Sequence, residues 1–291
     1  MYMATMIAHF KAVLSYASIT FISRVLGFLR DVLMAQYIGA SWQMDAFLIV
    51  FKLPNLFRRL FADGVFSQSL IPAAVSSDNQ VAFLSNIYGL LCVILVTVSL
   101  PFMLFPKFML SCVVAGLEDE RVLFYATEML PIVFPYLILV SCCGFYTVQL
   151  NLQGRFSIGF ALPIILNICL IGAVMAISHK LVDARMLSYA VTFAGLLQFV
   201  CAFKSASKLG GVLYPCKPVI NSETKIMLKQ TAMAFISQVV MYFSTCLELV
   251  LASFMVSGSL SWLYYTDRLI YLPVGVISVT IANMMLPNSQ E

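Results

Sequence analysis

Long apolar runs, separated by short polar or proline-bearing stretches, dominate the chain, and none alternates with the period of two that a half-buried strand requires. Read this way, the sequence predicts helices over about residues 10–38, 43–74, 81–110, 121–152, 157–178, 184–207, 223–256 and 260–286. Pro72, Pro106, Pro131, Pro135, Pro163, Pro215 and Pro287 fall near helix ends or at expected kinks. The third helix, Phe83–Phe105, is nearly free of charge and is expected to face lipid. The fourth carries Glu128 ahead of a proline pair, read as a carboxylate at the membrane surface.

Composition turns these eight helices into membrane spans. With 62% hydrophobic and 10% charged residues and a mean hydropathy of +0.96, the expected class is an all-α polytopic membrane protein rather than a soluble enzyme. Continuous rather than alternating apolar runs exclude a β-barrel. The net charge of +4 is spread over many loops, which argues against nucleic-acid binding. Eight cysteines scattered without a CxxC read as small buried hydrophobes, so no disulfide and no metal is assigned. No HExxH, DDxxD or nucleophile-elbow pattern occurs, so neither an enzymatic reaction nor a cofactor is expected. With the N-terminus in the cytoplasm, that side receives Lys11, Arg155, Lys204, Lys208, Lys217, Lys225 and Lys229, and the other Lys107, Arg121, Lys180 and Arg185. The excess favours that orientation, with Lys204–Lys229 as a basic cytoplasmic linker that sets topology and touches lipid headgroups.

One stretch breaks the pattern. Between Phe21 and Pro72, Arg24, Arg30, Lys52, Arg58, Arg59, Asp31, Asp45 and Asp63 sit among residues otherwise apolar enough for a bilayer, and no span can be drawn without enclosing some of them. Ionisable groups at such depth are costly and usually face a watery cavity. At 100° per residue, Asp45, Lys52, Arg59 and Asp63 fall within about 40° of one another, with Asn55 close by. Arg59 and Asp63 form an i,i+4 pair, and Arg24 and Asp31 share a face of the preceding helix. Pro54 is expected to kink the second helix where the cations gather. Arg58 lies about 100° from Arg59, so either the kink brings both to the cavity or one faces elsewhere.

The segments SRVLGFLRD (from Ser23) and MDAFLIVFKLPNLFRRLFADGVFSQSLIP (from Met44), with the later GSLSWLYYTDRLIYLPVGV (from Gly258), resemble the signatures of the MurJ/MviN family. These are the lipid II flippases of bacterial cell-wall synthesis, within the MOP exporter superfamily. The resemblance implies alternating-access transport of lipid II across the cytoplasmic membrane, with a hydrated arginine-lined cavity binding the pyrophosphate. Carried over residue by residue, it assigns substrate-site roles to Arg24, Arg30, Asp31, Asp45, Arg58, Arg59, Asp63, Asp267 and Arg268. The cations would hold pyrophosphate through bidentate forks, and the acids would orient them and help close a gate. Glu248 matches a position commonly acidic in the family, where an ion site and a structural pairing are both open. Tyr271 departs from the family, which often carries glutamate there. Lipid II, membrane lipids and cell-wall synthesis proteins are the implied partners.

An internal repeat adds to this. Ala35–Trp42 and Ala252–Trp262 each join two helices and end in Ser-Trp, and each is followed about three turns later by Leu-Pro, at Leu53-Pro54 and Leu272-Pro273. A six-helix period preserves orientation, which predicts parallel repeats with a site between them. Residues 1–215 are then a first six-helix lobe and 216–291 the first two helices of a second. The resemblance implies two such lobes and two further helices, so this chain reads as a fragment or truncated product that inserts without flipping lipid. Other readings are an exporter of another polyprenyl-linked oligosaccharide, a multidrug exporter, or a non-transporting membrane protein of the cell-wall machinery.

Overall fold

A computed structural model of the chain describes residues 2–58, 65–114, 116–117, 119–179, 183–208 and 211–270, with only the backbone for 2–15, 65, 67 and 237–241. Every regular element among them is helical. In chain order these are α1 (Tyr2–Tyr37), α2 (Trp42–Arg58), α3 (Val65–Ser76), α4 (Gln80–Leu104), α5 (Pro106–Val113), α6 (Glu120–Val133), α7 (Pro135–Leu152), α8 (Ser157–Ser178), α9 (Met186–Lys208) and α10 (Ser222–Ser253). A last described helix, α11, covers 259–270. By length and composition, four segments among the described residues are long and apolar enough to cross a membrane: α4, the merged α6–α7, α8 and α9.

Prolines explain where the expected helices divide. Pro106 opens α5, and Phe105 before it sits at φ −126°, ψ 55°, because a residue preceding proline is pushed out of the α region. At the α6–α7 junction Phe134 stays helical at φ −60°, ψ −32°. Pro135 has no N–H to donate and the Leu137 N–H turns to the Phe134 carbonyl at 3.0 Å, yet Glu120–Leu152 runs on as one span. Residues 59–64, which carry Arg59 and Asp63, lie outside the described residues, as do Lys180, Tyr271, Leu272, Pro273 and Pro287.

Neighbour relations run α1 on α8, α8 on α9, α9 on α7 and α7 on α4, with α2 against α6 and α10 against α3. The core between them is aromatic and fully enclosed at Phe47, Phe134, Tyr136 and Phe145. Phe102 stacks on Phe134 with ring centroids 4.2 Å apart, and Tyr88 on Phe145 at 4.3 Å. The expectation for the third predicted helix needs correction, since α4 is only partly lipid-facing. It buries Phe83, Leu84, Asn86, Ile87, Tyr88, Gly89, Leu91, Leu95 and Ser99.

The expected basic linker is also of a different kind. Lys204 and Lys208 belong to α9, and Lys225 and Lys229 to α10. Among the described residues between these helices, 211–221 is non-helical, and it is fastened down as a strap. Gln149 donates to the Gly211 carbonyl at 2.8 Å and Tyr146 to that of Leu213 at 3.3 Å. The Cys216 N–H donates to the Ser85 carbonyl at 3.2 Å. Asn86 clasps Val219 from both sides, donating to its carbonyl at 2.8 Å and accepting from its N–H at 2.6 Å. Gly89 lets the strap lie directly on α4, since a Cβ there would stand 1.9 Å from the Cys216 carbonyl oxygen.

Candidate functional site

The charges buried within α1 are Arg30 and Asp31, 7% and 5% exposed. Neighbours in sequence point about 100° apart on a helix, so they meet only because the guanidinium folds back. Arg30 Nε and Nη2 donate to Asp31 Oδ1 at 2.8 and 2.7 Å. Its third corner, Nη1, donates to Asn167 Oδ1 on α8 at 2.9 Å, and Asn167 in turn donates to the Ser23 carbonyl on α1 at 3.0 Å. From α11, the Tyr264 hydroxyl accepts from Arg30 Nη2 at 3.2 Å and lies 2.8 Å from Asp31 Oδ1, to which it donates. Arg268 Nε lies 3.2 Å from Asp31 Oδ2, with its guanidinium carbon 5.1 Å from the centre of the Tyr264 ring. A buried ion pair survives only when its remaining donors and acceptors are satisfied, and Asn167 and Tyr264 supply that completion.

A second carboxylate joins the two turns singled out as a repeat. Asp45, buried on α2, accepts from the Gly258 N–H, the Ser261 N–H at 2.8 Å and the Ser261 hydroxyl. Those amides belong to the N-terminus of α11, whose first N–H groups have no partner within the helix and whose dipole favours an anion. Asp45 thus caps α11 from across the interface. The turns themselves match: Gly39 and Gly258 have φ of +69° and +96°, and the Tyr265 hydroxyl donates to the Gly39 carbonyl at 3.3 Å. Trp42 fixes the first turn to α6, meeting Tyr125 edge-on at 5.1 Å beneath the Arg121 guanidinium. Beside this contact is a cavity of about 120 Å³ whose lining includes Asp45, Asp119, Ser253 and Ser257 but no cation. The Arg121 guanidinium hydrogen-bonds the Asp119 carboxyl and holds it below the usual carboxylate range.

Two turns below Asp45, Lys52 Nζ lies 2.5 Å from Glu248 Oε1 on α10, so the shared face predicted from the seven-residue spacing meets α10 and α11. Glu248 is engaged structurally in this arrangement. Both side chains keep some exposure, so a double-mutant cycle over Lys52→Ala and Glu248→Ala should give a coupling of about 1 kcal/mol in thermal stability. Zero coupling would mean the pair does not hold α10 against α2.

Not every candidate joins the cluster. Arg24 is exposed, although it shares a helix face with Asp31. Arg58 is half-exposed, with Nε 3.3 Å from Asn55 Oδ1. Asp267 is half-buried beside Arg268. Glu128, read as a surface carboxylate, pairs with Arg185 Nη1 at 2.7 Å. Sequence reasoning missed Asn167, Tyr264, Gly258 and Ser261. Asn167 left a readable trace as the single amide side chain in the apolar α8.

Helical throughout its described regular elements, with four segments long and apolar enough to cross a membrane and buried charges where α1 and α2 meet α10 and α11, the chain is a polytopic membrane protein with a polar seam. The family profile described as lipid II flippase MurJ matches residues 34–289, and the chain belongs to this family. It is 34% identical over 286 residues to the probable lipid II flippase MurJ of Buchnera aphidicola subsp. Baizongia pistaciae, covering 95% of this chain and 56% of that protein. It is 30% identical to the lipid II flippase MurJ of Burkholderia cenocepacia, covering 96% and 56%. The chain therefore spans about half the length of the curated relatives it matches. A solved structure described as lipid II flippase MurJ in an inward closed conformation shares the fold, with a TM-score of 0.79 at 24% identity over 93% of this chain and 57% of that one.

Proposed function

We propose that this chain supplies the first lobe and the opening helices of the second in a lipid II flippase of the bacterial cytoplasmic membrane. The observation that carries the reading is the seam itself. Arg30 and Arg268, from different repeats, converge on one carboxylate, Asp31, in a contact that separates if α11 withdraws from α1. A ligand shifts such an equilibrium only by binding one state better than the other. An anionic pyrophosphate does so by taking the guanidinium groups that Asp31 and Tyr264 occupy when the seam is closed. In this reading Arg24, Arg30, Arg58, Arg59 and Arg268 receive the pyrophosphate in the parted state. Asp31, Asp45, Asp63 and Asp267 orient the cations and reclose the seam. Glu248 acts as the partner of Lys52. The α1–α2 turn lies at the opposite end of the helices from the α3–α4 turn and the strap. The strap end carries Arg155, Lys204, Lys208, Lys217, Lys225 and Lys229 against Asp78 and Glu223 among the described residues, which supports its facing the cytoplasm.

The test is lipid II binding, normalised to membrane expression, for Arg24 and Arg58 each changed to Lys and to Ala. A point charge lacks the planar fork, so Lys should fail nearly as badly as Ala, with a loss of roughly 30- to 150-fold for about 2–3 kcal/mol. Lys variants that bind lipid II normally would remove the clamp.

A further inference from the structure

We infer that the strap over 211–221 and the helix ends beside it form a docking surface for the headgroups of anionic phospholipids, separate from the cation cluster on α1, α2 and α11. The strap is a fixed object. Pro215 and Pro218 lack N–H groups and hold Tyr214 and Lys217 extended, and the polar contacts to Ser85, Asn86, Tyr146 and Gln149 pin its inner edge.

Its outer edge carries the opposite chemistry. Tyr214, Val219 and Ile220 are 67%, 62% and 61% exposed, an unusual display for a segment whose backbone is tied down. Depth explains it. Ser85 and Gly89, on which the strap lies, are about 8 and 14 Å along α4 from Gln80 at 1.5 Å per residue. In a span of about 37 Å centred on a hydrocarbon core of about 30 Å, these levels are roughly 4 and 10 Å inside the boundary between headgroups and acyl chains. Tyrosine and aliphatic side chains belong there, with lysines reaching up to phosphate.

Charge selects the lipid. Lys208 ends α9, Lys217 is in the strap and Lys225 is in the first turn of α10, all exposed. Of the nearby acids, Glu223 already accepts from Ser77 at 2.9 Å and Asp78 is exposed. A zwitterionic headgroup gains little from this excess of cations, whereas an anionic one gains from each lysine near the surface.

Native mass spectrometry of the purified chain, with palmitoyl-oleoyl phosphatidylglycerol or phosphatidylcholine added, tests this. The chain should retain phosphatidylglycerol preferentially, and less of it as ionic strength rises from about 0.01 M to about 0.15 M. Lys208→Gln, Lys217→Gln and Lys225→Gln together should weaken phosphatidylglycerol by about 5-fold per lysine, on the order of 100-fold in all, and leave phosphatidylcholine unchanged. Tyr214→Ser with Ile220→Ser should weaken both lipids. Lys107→Gln with Arg121→Gln, away from the strap, should change neither. Continued protection of the Val219 amide from hydrogen exchange confirms that the strap remains docked in each variant. A triple variant that keeps its phosphatidylglycerol, an equal loss from the Lys107 and Arg121 variant, or retention indifferent to salt would overturn the inference. So would a dimer of the chain that shields Cys216 from thiol reagents without lipid, because a second copy would then be the occupant. These readouts do not involve lipid II, so they can fail while the transport reading stands.

Discussion

Asp31→Ala is expected to be the most damaging single substitution in the described part of the chain. It leaves the Arg30 guanidinium buried with its two shortest hydrogen bonds unmade and deprives Tyr264 and Arg268 of their shared acceptor. Breaking a buried pair by removing one partner costs about 3–5 kcal/mol, because the remaining charge has neither water nor counterion. For a chain of this size that corresponds to a fall of roughly 10 °C in thermal midpoint. Arg268, about half exposed, contributes little to the total. Asp31→Asn should fall between, keeping the shape and an acceptor but not the charge. Removing both charges with Asp31→Ala and Arg30→Met should recover much of the loss, since an apolar pair needs no counterion. Differential scanning fluorimetry of the solubilised protein measures all three. An Asp31→Ala variant within about 2 °C of the parent would show that the pair is not buried as described. A second readout separates gate from scaffold. If Asp31 and pyrophosphate compete for the same guanidinium, Asp31→Ala should lower stability without lowering lipid II binding, whereas Arg30→Lys should lower both.

Gly89→Ala should lift the strap from α4. The added Cβ would meet the Cys216 carbonyl oxygen at 1.9 Å, and neither group is the far end of a flexible side chain that can swing away. Overpacking of this kind costs about 1–3 kcal/mol, and the cheaper escape is local: the strap detaches while α4 stays packed on α7. Hydrogen exchange at the Cys216 and Val219 amides, which donate to Ser85 and Asn86, should therefore accelerate by roughly 10- to 100-fold. Unchanged protection at both amides would mean the strap does not cross α4 at Gly89. By contrast, Gly172→Ala on α8, where an added Cβ meets nothing, should leave these amides as they are.

The sequence by itself determined the helical class, and it named Arg30, Asp31, Asp45 and Arg268, which meet where α11 lies on α1 and α2, along with Arg24 and Arg58, which stand apart from them. Apolar runs too long for anything but membrane helices are a local property, and so are the prolines at Pro106 and Pro135 that divide two of them. Asp45 and Lys52, seven residues apart, had to share a face, and that face proved to meet α10 and α11. The Ser-Trp turns were legible as a pair, although nothing local said that they touch. Tertiary structure alone decided the partners. Asn167 and Tyr264 lie 137 and 234 residues from the Arg30 they satisfy, and a lone amide or tyrosine in an apolar run carries no mark of what it faces. The buried face of α4 was invisible for a related reason. Lipid tails are as apolar as a protein core, so hydropathy cannot separate a lipid-facing position from a packed one within a span. Arg24 and Arg30, both on α1 and both arginine, differ in exposure, and Arg30 is the one that Tyr264 of α11 meets. That is a matter of where a helix more than 200 residues away comes to rest, which no local pattern encodes.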